Sequence, residues 1–162
     1  MDLLKSKWML FIGLFFAVII VLFLIGRKSA NAEVFINAKP DKVWGILMNT
    51  AKYKDWNTVM IPLKGDLKEG NTVTYEFHQD EKNKYEIPSK VKKIETNKLL
   101  NQGGGMSGIL TFDHKYILEE KDGGTKLTIH EDYRGIGVPF WSPKAVEKAY
   151  QRLAEDLKKA AE

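Results

Sequence analysis

The chain has 162 residues, 44% hydrophobic and 28% charged, an ordinary globular balance that gives room for one cored domain and excludes fibrous or wholly disordered classes. The net charge of +4 is uneven: Lys5, Lys7, Arg27 and Lys28 against Asp2 give +3 to the first 32 residues, while the other 130 carry 21 basic and 20 acidic side chains. That near-neutral remainder gives no footprint for a nucleic acid partner. Cysteine is absent, which excludes disulfides, thiolate metal sites and a cysteine nucleophile.

Residues 8–25, WMLFIGLFFAVIIVLFLI, open on Trp8, close on Ile25 and contain no charge. As a helix they span about 27 Å, close to the hydrocarbon thickness of a bilayer. Trp8 suits the interface at one end. The rival reading is a cleaved signal peptide, with Ala30-Asn31-Ala32 as a small-x-small cleavage site. The apolar run is longer than a signal core, and Arg27-Lys28 separates it from the site, so a retained anchor is expected. The protein is then a single-pass membrane protein with the bilayer as partner of residues 8–25. A short tail with two lysines translocates poorly, which leans the soluble domain to the extracytoplasmic side.

After a short linker of small residues, Glu33 to Asn37 reads as a strand. Pro40 fits the first position of a short helix carrying Val43, Trp44, Ile46, Leu47 and Met48, with another turn at Tyr53 to Trp56. The period then changes to two, as a half-buried strand requires: Val73, Tyr75 and Phe77 alternate with Thr74, Glu76 and His78. Glu86 to Glu95 is the next strand, where Pro88 demands an edge or a bulge. Leu99 to Gln102 follows, then two long strands, residues 109–119 and 125–133, joined by a tight turn at Asp122-Gly123. Ser142-Pro143 starts a final helix, with Val146, Ala149, Tyr150, Leu153, Leu157 and Ala160 on one apolar face. The expected organisation is a tail over residues 1–7, a membrane helix over 8–26, a linker over 27–32 and one α+β domain over 33–162.

Two motifs need weighing. Residues 103–108, GGGMSG, match G-x-G-x-x-G, but a strand and not a helix follows, so a flexible hairpin connection is expected there and no dinucleotide. The histidines show no metal-ligand spacing, and neither metal nor cofactor is expected. Counting outward from the Asp122-Gly123 turn sets Leu118 against Leu127, Tyr116 against Ile129, His114 against Glu131 and Phe112 against Tyr133. All of these face inward, while His130 and Asp132 face out. One imidazole and one carboxylate therefore meet in an aromatic lining. Three readings stay open for them: a buried structural pair, an anchor for a ligand's polar end, or an acid/base dyad. Ser89 shares the same interior.

The segment Ile36-Asn37-Ala38-Lys39-Pro40-Asp41-Lys42-Val43-Trp44 resembles the opening of START-like proteins of the SRPBCC superfamily, in particular the polyketide cyclase/dehydrase branch. Tyr53-Lys54-Asp55-Trp56-Asn57 resembles that family's aromatic-x-x-Trp-Asn turn. Gly124 to Thr128, with Glu131 and Gly135, resembles its last strand, and the closing helix matches too. The likeness covers about residues 33–161. It departs at Lys39, where a small residue or proline is usual, and in the added anchor. It implies a helix-grip fold, a seven-stranded antiparallel sheet wrapped on the C-terminal helix around a hydrophobic cavity, and an apolar or lipid ligand. No catalytic residue carries over. The expected lining is Tyr75, Phe77, Phe112, His114, Tyr116, Ile129, Glu131, Tyr133, Trp141 and Tyr150. A non-catalytic binding or transfer role is expected. A cyclase or hydratase using His114 and Glu131, and an interaction subunit of a membrane complex, are the alternatives.

Overall fold

Asp122 and Gly123 both adopt positive φ, 50° and 79°, the two-residue turn whose twist matches an antiparallel pair. From it β6 (Leu110–Lys121) and β7 (Gly124–Arg134) run outward with Lys121 opposite Gly124, and the pairs from Leu118–Leu127 to Phe112–Tyr133 follow in the register counted from that turn. The computed structural model describes residues 2–162, with side chains from Lys7 onward. Five further strands complete the sheet: β1 (Arg27–Ile36), β2 (Met60–Lys64), β3 (Thr72–His78), β4 (Lys84–Glu95) and β5 (Leu99–Met106). All seven are antiparallel, in the order β1-β7-β6-β5-β4-β3-β2.

The N-terminal boundaries differ from the expectation. From Asp2 on, the expected tail forms the first turns of α1 (Asp2–Ile25); Met1 lies outside the described residues, and Gly26 follows the helix. The expected linker is the first half of β1. Arg27 to Ala32 pair with Arg134 to Ile129 on β7, continuous with the rest of the strand. The reason is packing: Ala30 and Ala32 point inward and are fully or almost fully buried, and their small side chains let the last helix lie close to this strand.

That helix, α4 (Lys144–Ala161), buries Val146, Ala149, Tyr150, Leu153, Ala154, Leu157 and Ala161. Ala161, one turn after Leu157, takes the place expected for Ala160, which is exposed. Ser142 makes no side-chain cap; Pro143 is the cap residue, and its carbonyl accepts from Glu147 N at 2.9 Å. Between β1 and β2 lie α2 (Pro40–Met48), a single 3₁₀ turn (Thr50–Lys52) and α3 (Tyr53–Trp56), and α2 and α3 both pack on α4. Asn57 closes this stretch, its Oδ1 accepting from Val59 N and Met60 N at 2.9 and 2.7 Å.

The glycine run is not a flexible connection. Gly103, Gly104 and Gly105 belong to β5, and the turn begins only at Met106. The strand there passes so close to its neighbours that a Cβ on Gly104 would lie 2.5 Å from Pro88 O and 3.0 Å from the Phe112 ring. Pro88 is tolerated because residues 84–89 of β4 pair with β3 alone; the ladder to β5 starts at Lys90 and shifts register between Val91 and Lys93. Gly104→Ala is therefore expected to lower stability by about 1–3 kcal/mol, the scale of overpacking against backbone. An unchanged melting midpoint would show that the strands can part there without loss.

Candidate functional site

The concave face of the sheet carries one polar row between aromatic and aliphatic ones. Cross-strand pairing lines up Val91, Gln102, His114, Glu131 and Ala30 across five strands. On one side runs the row Leu100, Tyr116, Ile129 and Ala32; on the other, Gly104, Phe112, Tyr133 and Lys28. Paired residues share a face, so the row is a direct consequence of register.

His114 and Glu131 are only 3% and 4% exposed. Nδ1 of His114 lies 3.1 Å from Oε2 of Glu131. A carboxylate only accepts, so Nδ1 carries the proton of this bond. The other ring nitrogen, Nε2, is buried and has no hydrogen-bond partner among the described residues. The imidazole is held edge-on against Tyr116 and Tyr150, with ring centroids 4.7 and 5.0 Å away. Tyr150 comes from α4 and also meets Phe77 at 6.1 Å. Above Glu131, Tyr133 packs on Trp141 at 4.5 Å. Burial first, and then the neighbouring Glu131 charge, push the Tyr133 phenol far above its ordinary range. In the same way burial, partly offset by the hydrogen bond from Gln102, raises Tyr75 to about 12.

All ten expected lining residues face this interior. Tyr75, Phe77, His114, Tyr116, Ile129, Glu131, Tyr133 and Tyr150 are buried, and Phe112 and Trp141 are half-buried against them. Ser89 is buried as well. Sequence reasoning missed Gln102, which is 1% exposed and donates through Nε2 to the Tyr75 hydroxyl at 2.9 Å. Parity with the apolar Leu100 two residues earlier was the available signal. His130 and Asp132 lie on the opposite face, where His130 meets Asn31 and Asp132.

The interior rings touch one another, and two open hollows lie away from them. One, of about 780 Å³, is lined by Lys39, Asp41, Lys98, Lys115, Glu119 and their neighbours. A second, of about 690 Å³, lies over Gly103 to Gly105 on the outer face, and among the ten only Phe112 reaches it. In that outer layer Asp113 is held at about 2: partial burial works against its charge, but hydrogen bonds from Lys92, Lys115 and Asn101 outweigh it.

Residues 27–162 match the family described as "Polyketide cyclase / dehydrase and lipid transport". No curated protein matches the chain. Among solved structures, TTHA0849 from Thermus thermophilus superposes with a TM-score of 0.67 at 13% identity, covering 83% of this chain and 97% of that one. CV1439 from Chromobacterium violaceum gives 0.66 at 12% identity, with 83% and 97% covered. The di-domain ARO/CYC BexL from the BE-7585A biosynthetic pathway gives 0.68 at 10% identity, covering 84% of this chain and 50% of that chain. At these identities the likeness shows a shared helix-grip fold and nothing finer.

Proposed function

The chain belongs to the polyketide cyclase / dehydrase and lipid transport family, and from that premise we propose a membrane-tethered module that takes an apolar molecule between its sheet and α4 and holds that molecule's one polar group at His114. The observation that carries this reading is the buried, unpartnered Nε2 in a wall that is otherwise rings and aliphatic groups. A buried polar atom left unpaired costs roughly 1–3 kcal/mol, which a hydrogen bond donated by a ligand hydroxyl would recover. Glu131 fixes the ring through Nδ1 and so decides which nitrogen is offered.

The tether is part of the proposal. Residues Lys7–Ile25 form one helix long and apolar enough to cross a membrane, and none of it is buried against the domain. A signal sequence has the same profile, but Ala30-Asn31-Ala32 has a packing role beneath α4, and cleavage after Ala32 would remove six of the ten paired residues of β1. Both facts favour a retained anchor.

A second reading, an interaction subunit, is favoured by the mutual contacts of the interior rings. Native mass spectrometry of the detergent-extracted full-length protein separates the two. The binding reading expects a retained small apolar molecule. It also expects Glu131→Gln to fold normally yet lose affinity by about 1–3 kcal/mol, the scale of a charged hydrogen bond. Unchanged affinity would make the pair purely structural, and a ligand-free wild-type protein would favour the interaction subunit.

A further inference from the structure

Three segments meet where α1 ends. Gly135 N donates to Gly26 O at 3.0 Å, Ile136 N to Gly108 O at 3.0 Å, and Gly137 N to Ile109 O at 2.9 Å. The Lys28 ammonium donates to the carbonyls of Pro139, at 3.1 Å, and Trp141. The start of β1, the β5–β6 turn and the β7–α4 connection therefore form one hydrogen-bonded rim. A single residue, Gly26, separates it from α1.

This rim is both apolar and basic. Phe140 is 80% exposed, Met106 63% and Ile109 48%. Beyond α1, the other exposed large apolar side chains among the described residues are Phe35, Leu63 and Tyr85, each on a different strand. Residues 26–29, 104–110 and 134–144 contain Arg27, Lys28, Arg134 and Lys144 and no aspartate or glutamate. Phe140 is not exposed by looseness of its loop, since Lys28 pins the carbonyls on both sides and Phe140 N donates to Gly137 O at 3.2 Å. Large apolar tips on segments that carry cations and no acid suit the boundary between headgroups and acyl chains, where apolar burial and attraction to anionic lipid add together.

We propose that Met106, Ile109 and Phe140, on the rim that also carries Arg27 and Arg134, seat the domain on the surface of the same bilayer that α1 crosses, with anionic lipid as the partner. This rests on the anchor reading above. The domain then has a fixed pose, with β1 rising from the membrane and the Asp122-Gly123 turn pointing away. Trp141, the residue after Phe140, packs on Tyr133 with ring centroids 4.5 Å apart, so the rim is continuous along the chain with the interior rings.

The natural chain has no cysteine, so one introduced cysteine places a single spin label. Full-length protein in vesicles of phosphatidylcholine and phosphatidylglycerol is labelled in turn at Phe140→Cys, Ile109→Cys, Leu63→Cys and Leu14→Cys. Labels at positions 140 and 109 are expected to collide several-fold more with oxygen than with a water-soluble nickel chelate. The label at 63 should show the reverse, and the label at 14 should read as acyl-buried. Rim labels as water-exposed as the one at 63, with position 14 still in lipid, overturn the rim and leave the anchor standing. A label at 14 in water overturns both. Circular dichroism checks each fold, and Met106→Cys supplies a further rim position if either rim variant fails to fold.

Discussion

A chain beginning at Glu33 is expected to lose its native fold, whereas one beginning at Arg27 is expected to keep it. The shorter chain lacks Arg27 to Ala32, which pair with β7 from Arg134 to Ile129. Without them the end of β7 that carries Glu131 and Tyr133 becomes an open sheet edge, and α4 loses the buried Ala30 and Ala32 beneath it. The Lys28 bonds that hold the β7–α4 connection also go. Each ladder hydrogen bond contributes about 1 kcal/mol net, and the exposed apolar area adds to that. The sum approaches the roughly 5–15 kcal/mol by which a domain of this size is stable. Size-exclusion chromatography and thermal melts of the two chains measure the difference. A monomeric Glu33 chain with a native melt would make the first half of β1 dispensable and revive cleavage after Ala32.

The domain should also lose stability steeply above about pH 10. Burial raises the pH at which Tyr53, Tyr75, Tyr116 and Tyr133 ionise, with neighbouring phenol or carboxylate charges adding to the rise in Tyr53, Tyr116 and Tyr133. A phenol whose folded value lies above its unfolded value near 10 favours the fold fully below that pH. Its contribution then falls as pH rises, and for Tyr75 the fall ends at about 12, where the folded form also titrates. Each such phenol removes about 1.4 kcal/mol per pH unit. Four together remove on the order of 5 kcal/mol by pH 11, comparable with the whole stability of a domain. Tyrosinate absorbance and circular dichroism followed together through an alkaline titration check this. The four phenols should ionise cooperatively with unfolding. Independent titration of every tyrosine near pH 10 with the fold intact would contradict their burial.

Elements defined by local chemistry are legible in the amino-acid order itself. The Asp122-Gly123 turn and the alternation on either side of it are sufficient to pair His114 with Glu131, because a two-residue turn leaves one register and a period of two leaves one face. The apolar stripe of α4 and the apolar stretch of α1 follow in the same way from composition and period. The family resemblance and the seven-stranded helix-grip fold hold as well.

What escaped the sequence depends on partners far along the chain. Residues 27–32, RKSANA, show no apolar alternation, and they are strand because β7 would otherwise have an open edge and α4 needs small side chains beneath it. The glycines at 103–105 look flexible in isolation, yet Phe112 O crowds a Cβ at Gly103, Pro88 O and the Phe112 ring one at Gly104, and Leu110 O one at Gly105. Gln102 is polar and reads as exposed until Tyr75, 27 residues earlier, is brought to its amide. Met106, Ile109 and Phe140 are scattered surface residues in the sequence, and they become one rim only when Gly135, Ile136 and Gly137 are bonded to Gly26, Gly108 and Ile109. Periodicity reports which face a residue takes within its own element; what lies across from that face is set by closure of the sheet and the seating of α4, which no local pattern encodes.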